Sequence, residues 1–75
     1  MILMDIRKAT VLIVRKGNVY LVGKKLYSEE LLWRDSPWDA WRTRIRAEAR
    51  GVAEKTGGTI MLFNPIAGQL REAVL

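Results

Sequence analysis

Trp33-Arg34-Asp35-Ser36-Pro37-Trp38-Asp39-Ala40-Trp41-Arg42-Thr43-Arg44-Ile45-Arg46 holds all three tryptophans and four of the eight arginines of the chain. Its middle carries the signals of a helix start. Asp35 or Ser36 can cap free backbone N–H groups. Pro37 suits the first helical position, where its missing N–H is no loss. Asp39, three residues after Ser36, makes an acidic capping box and favours the positive end of a helix dipole. The spacing predicts a helix over about 36–56, ended by Gly57-Gly58, where a glycine can turn left-handed. Gly51 in its interior costs about 1 kcal/mol against alanine, which suggests close packing there.

At about 100° per residue, the apolar positions of that helix form one stripe: Trp38, Trp41, Ile45, Ala49 and Val52, with Ala53 at its edge. The stripe should lie on a sheet, wide at the tryptophan end and narrow at the alanine end. Arg42, Arg46 and Arg50, spaced four apart, form a flank beside it. Arg44 and Lys55 fall on the opposite flank, and Lys24 and Lys25 can add to a patch from the sheet.

Before this segment, Ala9-Thr10-Val11-Leu12-Ile13-Val14 is β-branched and apolar on both alternating faces, as a central strand should be. Lys16-Gly17-Asn18-Val19 reads as a hairpin with a two-residue loop, in which Gly17 supplies the positive φ of a type II′ turn. Opposing Lys16 to Val19 pairs Arg15 with Tyr20, Val14 with Leu21 and Ile13 with Val22. One face then carries Val11, Ile13, Arg15, Tyr20 and Val22, and the other carries Leu12, Val14, Val19 and Leu21. Leu31-Leu32-Trp33-Arg34 is a short third strand or an apolar loop. Thr59-Ile60-Met61-Leu62-Phe63 is a further strand, ended by Asn64-Pro65. Gln69 to Leu75 is open between a short helix, an edge strand and a tail. The expected fold is a single α+β domain over residues 1–75: two layers, β-β-(β)-α-β, with one helix on a small, mainly antiparallel sheet. The second sheet face has no evident cover except the last seven residues, so a homo-oligomer closing that face is expected.

Seventy-five residues carry 13 Lys plus Arg against 8 Asp plus Glu, a net charge of +5, which favours acidic partners. With no cysteine and no histidine, a structural zinc site has no plausible ligands and the common nucleophile–base pairs are unavailable. No glycine-rich phosphate loop occurs, and the eight carboxylates show no pattern suited to a metal or to acid–base work. No catalytic residue, cofactor or metal is therefore expected. No apolar run approaches the roughly 18 residues of a membrane span, and Met1-Ile2-Leu3-Met4 is too short for a signal-peptide core, so a cytoplasmic location is expected.

The arginine row can grip successive phosphates, and a nearby tryptophan can stack on a base. Trp33 and Arg34, which precede the helix, are the aromatic-basic pair expected to be accessible together. Arg42, Arg46 and Arg50 complete the candidate anion-binding or partner-binding set. The competing reading is an ordinary solvated face. Arg44 with Glu48, Arg50 with Glu54 and Asp39 with Arg42 have helical ion-pair spacing, and Trp38 and Trp41 belong to the core stripe.

Two resemblances add to this. Ala9 to Val22 resembles the first hairpin of Nudix hydrolases, and Arg50-Gly51-Val52-Ala53-Glu54-Lys55-Thr56-Gly57 resembles the end of their catalytic helix. On that match the metal-binding glutamates of the family fall on Gly51, Lys55 and Arg42, and Glu54 alone stays acidic. A lone glutamate cannot hold the magnesium ions that diphosphate hydrolysis needs, so the resemblance implies no hydrolase activity here. The string from Leu32 to Arg44, with Gly57-Gly58 and Leu62-Phe63-Asn64-Pro65, looks like small phage and prophage proteins of gut-type bacteria. That resemblance implies a phage-type accessory protein acting in a host cytoplasm, and it transfers no site residue. The function expected is a non-catalytic module that binds nucleic acid or an acidic host-protein surface. The alternative is a self-assembling protein that uses an apolar sheet face.

Overall fold

A computed structural model describes residues 9–73. The readings of Met1 to Met4 and of Val74-Leu75 lie outside the described residues. Among the described residues five strands form one antiparallel sheet: β1 (Val11–Lys16), β2 (Val19–Lys24), β3 (Leu31–Arg34), β4 (Thr59–Asn64) and β5 (Gln69–Glu72). Their order across the sheet is β3-β2-β1-β4-β5, and the helix α1 (Arg46–Thr56) packs against it. This is the expected α+β arrangement, with Leu31–Arg34 a true strand and Gln69–Glu72 an edge strand.

The β1–β2 register is the one its turn dictates, with Lys16 opposite Val19 and Arg15 opposite Tyr20. Gly17 has φ 63°, and Asn18 is not among the residues of positive φ, as a type II′ turn requires. Beyond these pairs the two strands part, so the expected pairs Val14–Leu21 and Ile13–Val22 do not form. Leu12 and Leu21 are both buried in the gap, where an unpaired backbone group would be costly. The chain around Trp41 to Thr43 fills it. Trp41 N–H donates to the Leu21 carbonyl at 2.8 Å, and Leu12 and Thr43 exchange N–H···O bonds of 2.8 and 3.0 Å.

That insertion corrects the start of the helix. Pro37–Asp39 forms only a 3-10 turn, without a capping bond from the Ser36 side chain. The chain is extended at Ala40 and again at Ile45, and α-helix begins at Arg46 rather than near Ser36. The cap residues act as a turn because continued helix would withdraw the backbone of Trp41 and Thr43 from the sheet. The far end is as expected: Gly57 has φ 73°, and its N–H donates to the Ala53 carbonyl.

Both sheet faces are buried. On one, Val14 and Leu21 meet Ala53 of α1, with Val52, Trp41, Trp33, Leu31 and Ile60 at the margin. The small Ala49 and Ala53 are the buried residues of the helix and let it approach closely. On the other, Val11, Ile13, Tyr20, Met61 and Phe63 cluster with Ala40, and Leu70 packs alongside. The expected uncovered face is therefore not found: Ile13 and Phe63 have no exposure at all. The C-terminal residues widen the sheet as β5 instead of covering it. The ground for placing a second copy on that face is removed.

Two residues of the predicted stripe change role. Trp41 remains at the core margin, but Trp38 is 53% exposed and Ile45 60% exposed, because neither is within the helix. Gly51 is exposed, with nothing within 4 Å of the place a Cβ would occupy, so it does not mark close packing. Among the described residues no helix is long and apolar enough to cross a membrane.

Candidate anionic-partner interface

The late helix start divides the predicted binding residues. Arg46 and Arg50 are one turn apart on α1 and exposed. Arg42 is in the extended segment, so the row of three at i, i+4, i+8 does not exist. Its guanidinium turns to the other side of the sheet, where Nη2 donates to the Trp38 carbonyl at 2.9 Å. Trp33 and Arg34 also separate. Successive strand residues point to opposite faces. Trp33 packs beside the helix-covered cluster, with the Lys16 ammonium 6.0 Å from its ring centroid, while Arg34 is exposed opposite Tyr20. They do not form one accessible pair.

What Arg46 and Arg50 approach is the outer half of the sheet. Helix α1 contacts β1 and β4 and leaves β5 open. The Arg46–Arg50 side of α1 faces this open half, since Arg50 lines a shallow depression of about 440 Å³ with Thr59, Ile60 and Ala73. Along the same face of β4, Leu62 and Asn64 line a second depression of about 460 Å³ with Thr10, Gln69 and Arg71. Arg71 lies opposite Leu62 in the β4–β5 register and is exposed. A trough thus runs beside the helix with Arg50 and Arg71 along it and Glu54 as the acidic residue of its wall, and Arg46 stands one helical turn before Arg50 on the same side of α1. Arg71 was not identifiable from sequence, because nothing local decided whether its segment was helix, strand or tail.

The expected helical ion pairs do not form. Arg44 precedes the helix, and neither Arg44–Glu48, Arg50–Glu54 nor Asp39–Arg42 comes within ion-pair distance. Between described residues the ion pairs are Lys24–Glu29 at 3.4 Å and Lys25–Glu30 at 3.0 Å. Both lie in the β2–β3 connection, at the opposite edge of the sheet. There the lysines that were expected to extend a basic patch are neutralised.

The opposite flank of α1 borders a different cleft of about 600 Å³, with a floor that includes Leu21, Leu31, Trp41 and Val52. Its rim carries Lys24, Lys55, Glu29 and Glu48, an even balance of charge. Among the described residues no three acidic side chains gather where a metal ion could be held. No protein-family model, curated protein or solved structure matches this chain, so the interface rests on its own geometry.

Proposed function

We propose that this chain is a non-catalytic binding module that holds an anionic partner, nucleic acid first, against Arg46, Arg50 and Arg71. The observation that carries the reading is the distribution of ion pairs. The lysines of the β2–β3 connection are matched by carboxylates, whereas the arginines beside the trough have no carboxylate partner among the described residues. A guanidinium keeps its charge at any physiological pH and presents a fork of donors that suits phosphate oxygens. An excess of five positive charges supports the same partner class. The likeness of Leu32 to Arg44 to phage and prophage proteins supports an accessory role in a host cytoplasm.

The test is a mobility shift or anisotropy titration with labelled DNA, repeated across a fourfold rise in salt. Three phosphate contacts give a log–log salt slope of about −2.7 on duplex DNA, a loss of about 40-fold in affinity over that range. The double variant Arg46→Glu, Arg50→Glu should remove binding while its circular dichroism stays that of the folded chain. Arg46→Glu places a carboxylate in the first helical turn, where the dipole favours it, and both side chains are exposed, so loss of fold is not expected. Affinity that ignores both salt and charge reversal would rule the reading out. An acidic host protein captured in place of nucleic acid, and lost in the same variant, would reassign the partner.

A further inference from the structure

Trp38 is held from three directions, yet more than half its surface is open. Its Nε1–H donates to the Pro65 carbonyl at 3.1 Å. Its ring and that of the fully buried Phe63 meet at right angles, with centroids 5.1 Å apart and planes at 89°. Gly68 lies along its rim, where a Cβ would sit 3.6 Å from Cζ2. An indole with so many fixed contacts has little rotamer freedom left to lose when a ligand lands on it. Scattered single apolar residues on a surface need no explanation. Trp38 differs because a cation is fixed beside it: Arg42 is tied to the Trp38 carbonyl through Nη2, which leaves the remaining guanidinium N–H groups for another acceptor.

We infer that Trp38 and Arg42 form a stacking platform for single-stranded nucleic acid, one base lying on the indole and an adjacent phosphate on the guanidinium. The inference rests on the anionic-partner reading and narrows it to unpaired strands. The ring has no polar group to offer, since its one N–H is committed to Pro65, so it selects a flat π-surface rather than a base identity. A base within a duplex is already stacked and cannot reach a ring fixed on an outer surface, whereas a single strand can turn one out.

Three labelled ligands separate the possibilities: a mixed-sequence single strand, the same strand with abasic sites throughout, and a duplex. The single strand should bind tightest. Trp38→Ala should weaken it about tenfold, as expected for loss of one stacked base, and leave the abasic strand unchanged. Arg42→Ala should weaken both strands. Because Trp38→Ala also unlinks Pro65 and Phe63, the wild-type chain supplies a second readout. Of its three tryptophan indole N–H resonances, that of Trp38, assigned with Trp38→Phe, should move most on adding the strand. Equal affinity for intact and abasic strands, with a still Trp38 resonance, overturns the platform and leaves the basic trough standing. Failure of all three ligands to bind overturns nucleic acid as the partner altogether.

Discussion

Leu12 and Thr43 exchange two backbone hydrogen bonds, of 2.8 and 3.0 Å, across the opening between β1 and β2, and this pairing sets where the helix begins. Each bond removes a buried polar group from an apolar setting. Together they outweigh the local helix signal of Ser36-Pro37-Trp38-Asp39, which is spent on a 3-10 turn. The same insertion sends Trp38 and Arg42 to one side of the sheet and the trough arginines to the other.

Thr43 also shapes the helix entry through its side chain. Its Oγ1 accepts the Ile45 N–H at 3.1 Å, and the residue is buried. Thr43→Val keeps the volume and removes that acceptor, at a cost of about 1 kcal/mol. Thermal unfolding should fall by about 4–8 °C. An unchanged midpoint would mean the bond contributes nothing.

Helix α1 starts without a side-chain cap. Ile45 has the extended backbone of an N-cap but no oxygen to offer, and it is exposed. Ile45→Ser supplies the missing acceptor with little loss of core, so the chain should gain about 1 kcal/mol. Chemical denaturation should show a higher midpoint at the same slope; a lower midpoint would assign Ile45 a packing role.

Gly51 and Gly58 should respond oppositely to alanine. At Gly51 a Cβ meets nothing within 4 Å, and Gly51→Ala should stabilise the helix by about 1 kcal/mol. At Gly58 a Cβ would overlap Val14 Cγ1 and come within 3.1 Å of the Arg15 carbonyl oxygen. Gly58→Ala should therefore cost about 1–3 kcal/mol. Adding Val14→Ala should recover part of that loss, a coupling of about 0.5 kcal/mol or more in a double-mutant cycle. Simple additivity would show that the helix end moves freely instead of pressing on β1.

The trough makes a prediction about position rather than charge alone. Arg71→Ala should weaken single-stranded DNA binding about as much as Arg50→Ala does, each reducing the salt slope by about 0.7. Lys55→Ala removes the same charge from the opposite flank of α1, beside the cleft of mixed charge. It should leave the slope unchanged. Equal effects at all three positions would indicate diffuse attraction without a defined surface.

Strands β1, β2 and β4, the turn-side pairs of the hairpin and the C-terminal stop of the helix were legible in the residues because each is set by neighbours along the chain. Gly17-Asn18 selects one turn, alternation in Val11 to Val14 buries both faces, and Gly57 has the conformational freedom that a left-handed stop needs. Local chemistry also marked Arg46 and Arg50 correctly as exposed cations on one helical side. It could not reveal that β1 and β2 part beyond Arg15 and Tyr20, because that gap exists only once the sheet is assembled. Filling it required the backbone of Trp41 and Thr43, so a segment with every local mark of a helix start became a sheet insertion. The tertiary structure alone therefore decided that Trp38 is an exposed ring tied to Pro65, that Arg42 leaves the helical row, and that Arg71 joins it from β5. The fourteen residues from Trp33 to Arg46 could be read for their types but not for their faces: a helix would have put both Trp38 and Trp41 inward, whereas the extended insertion puts only Trp41 there.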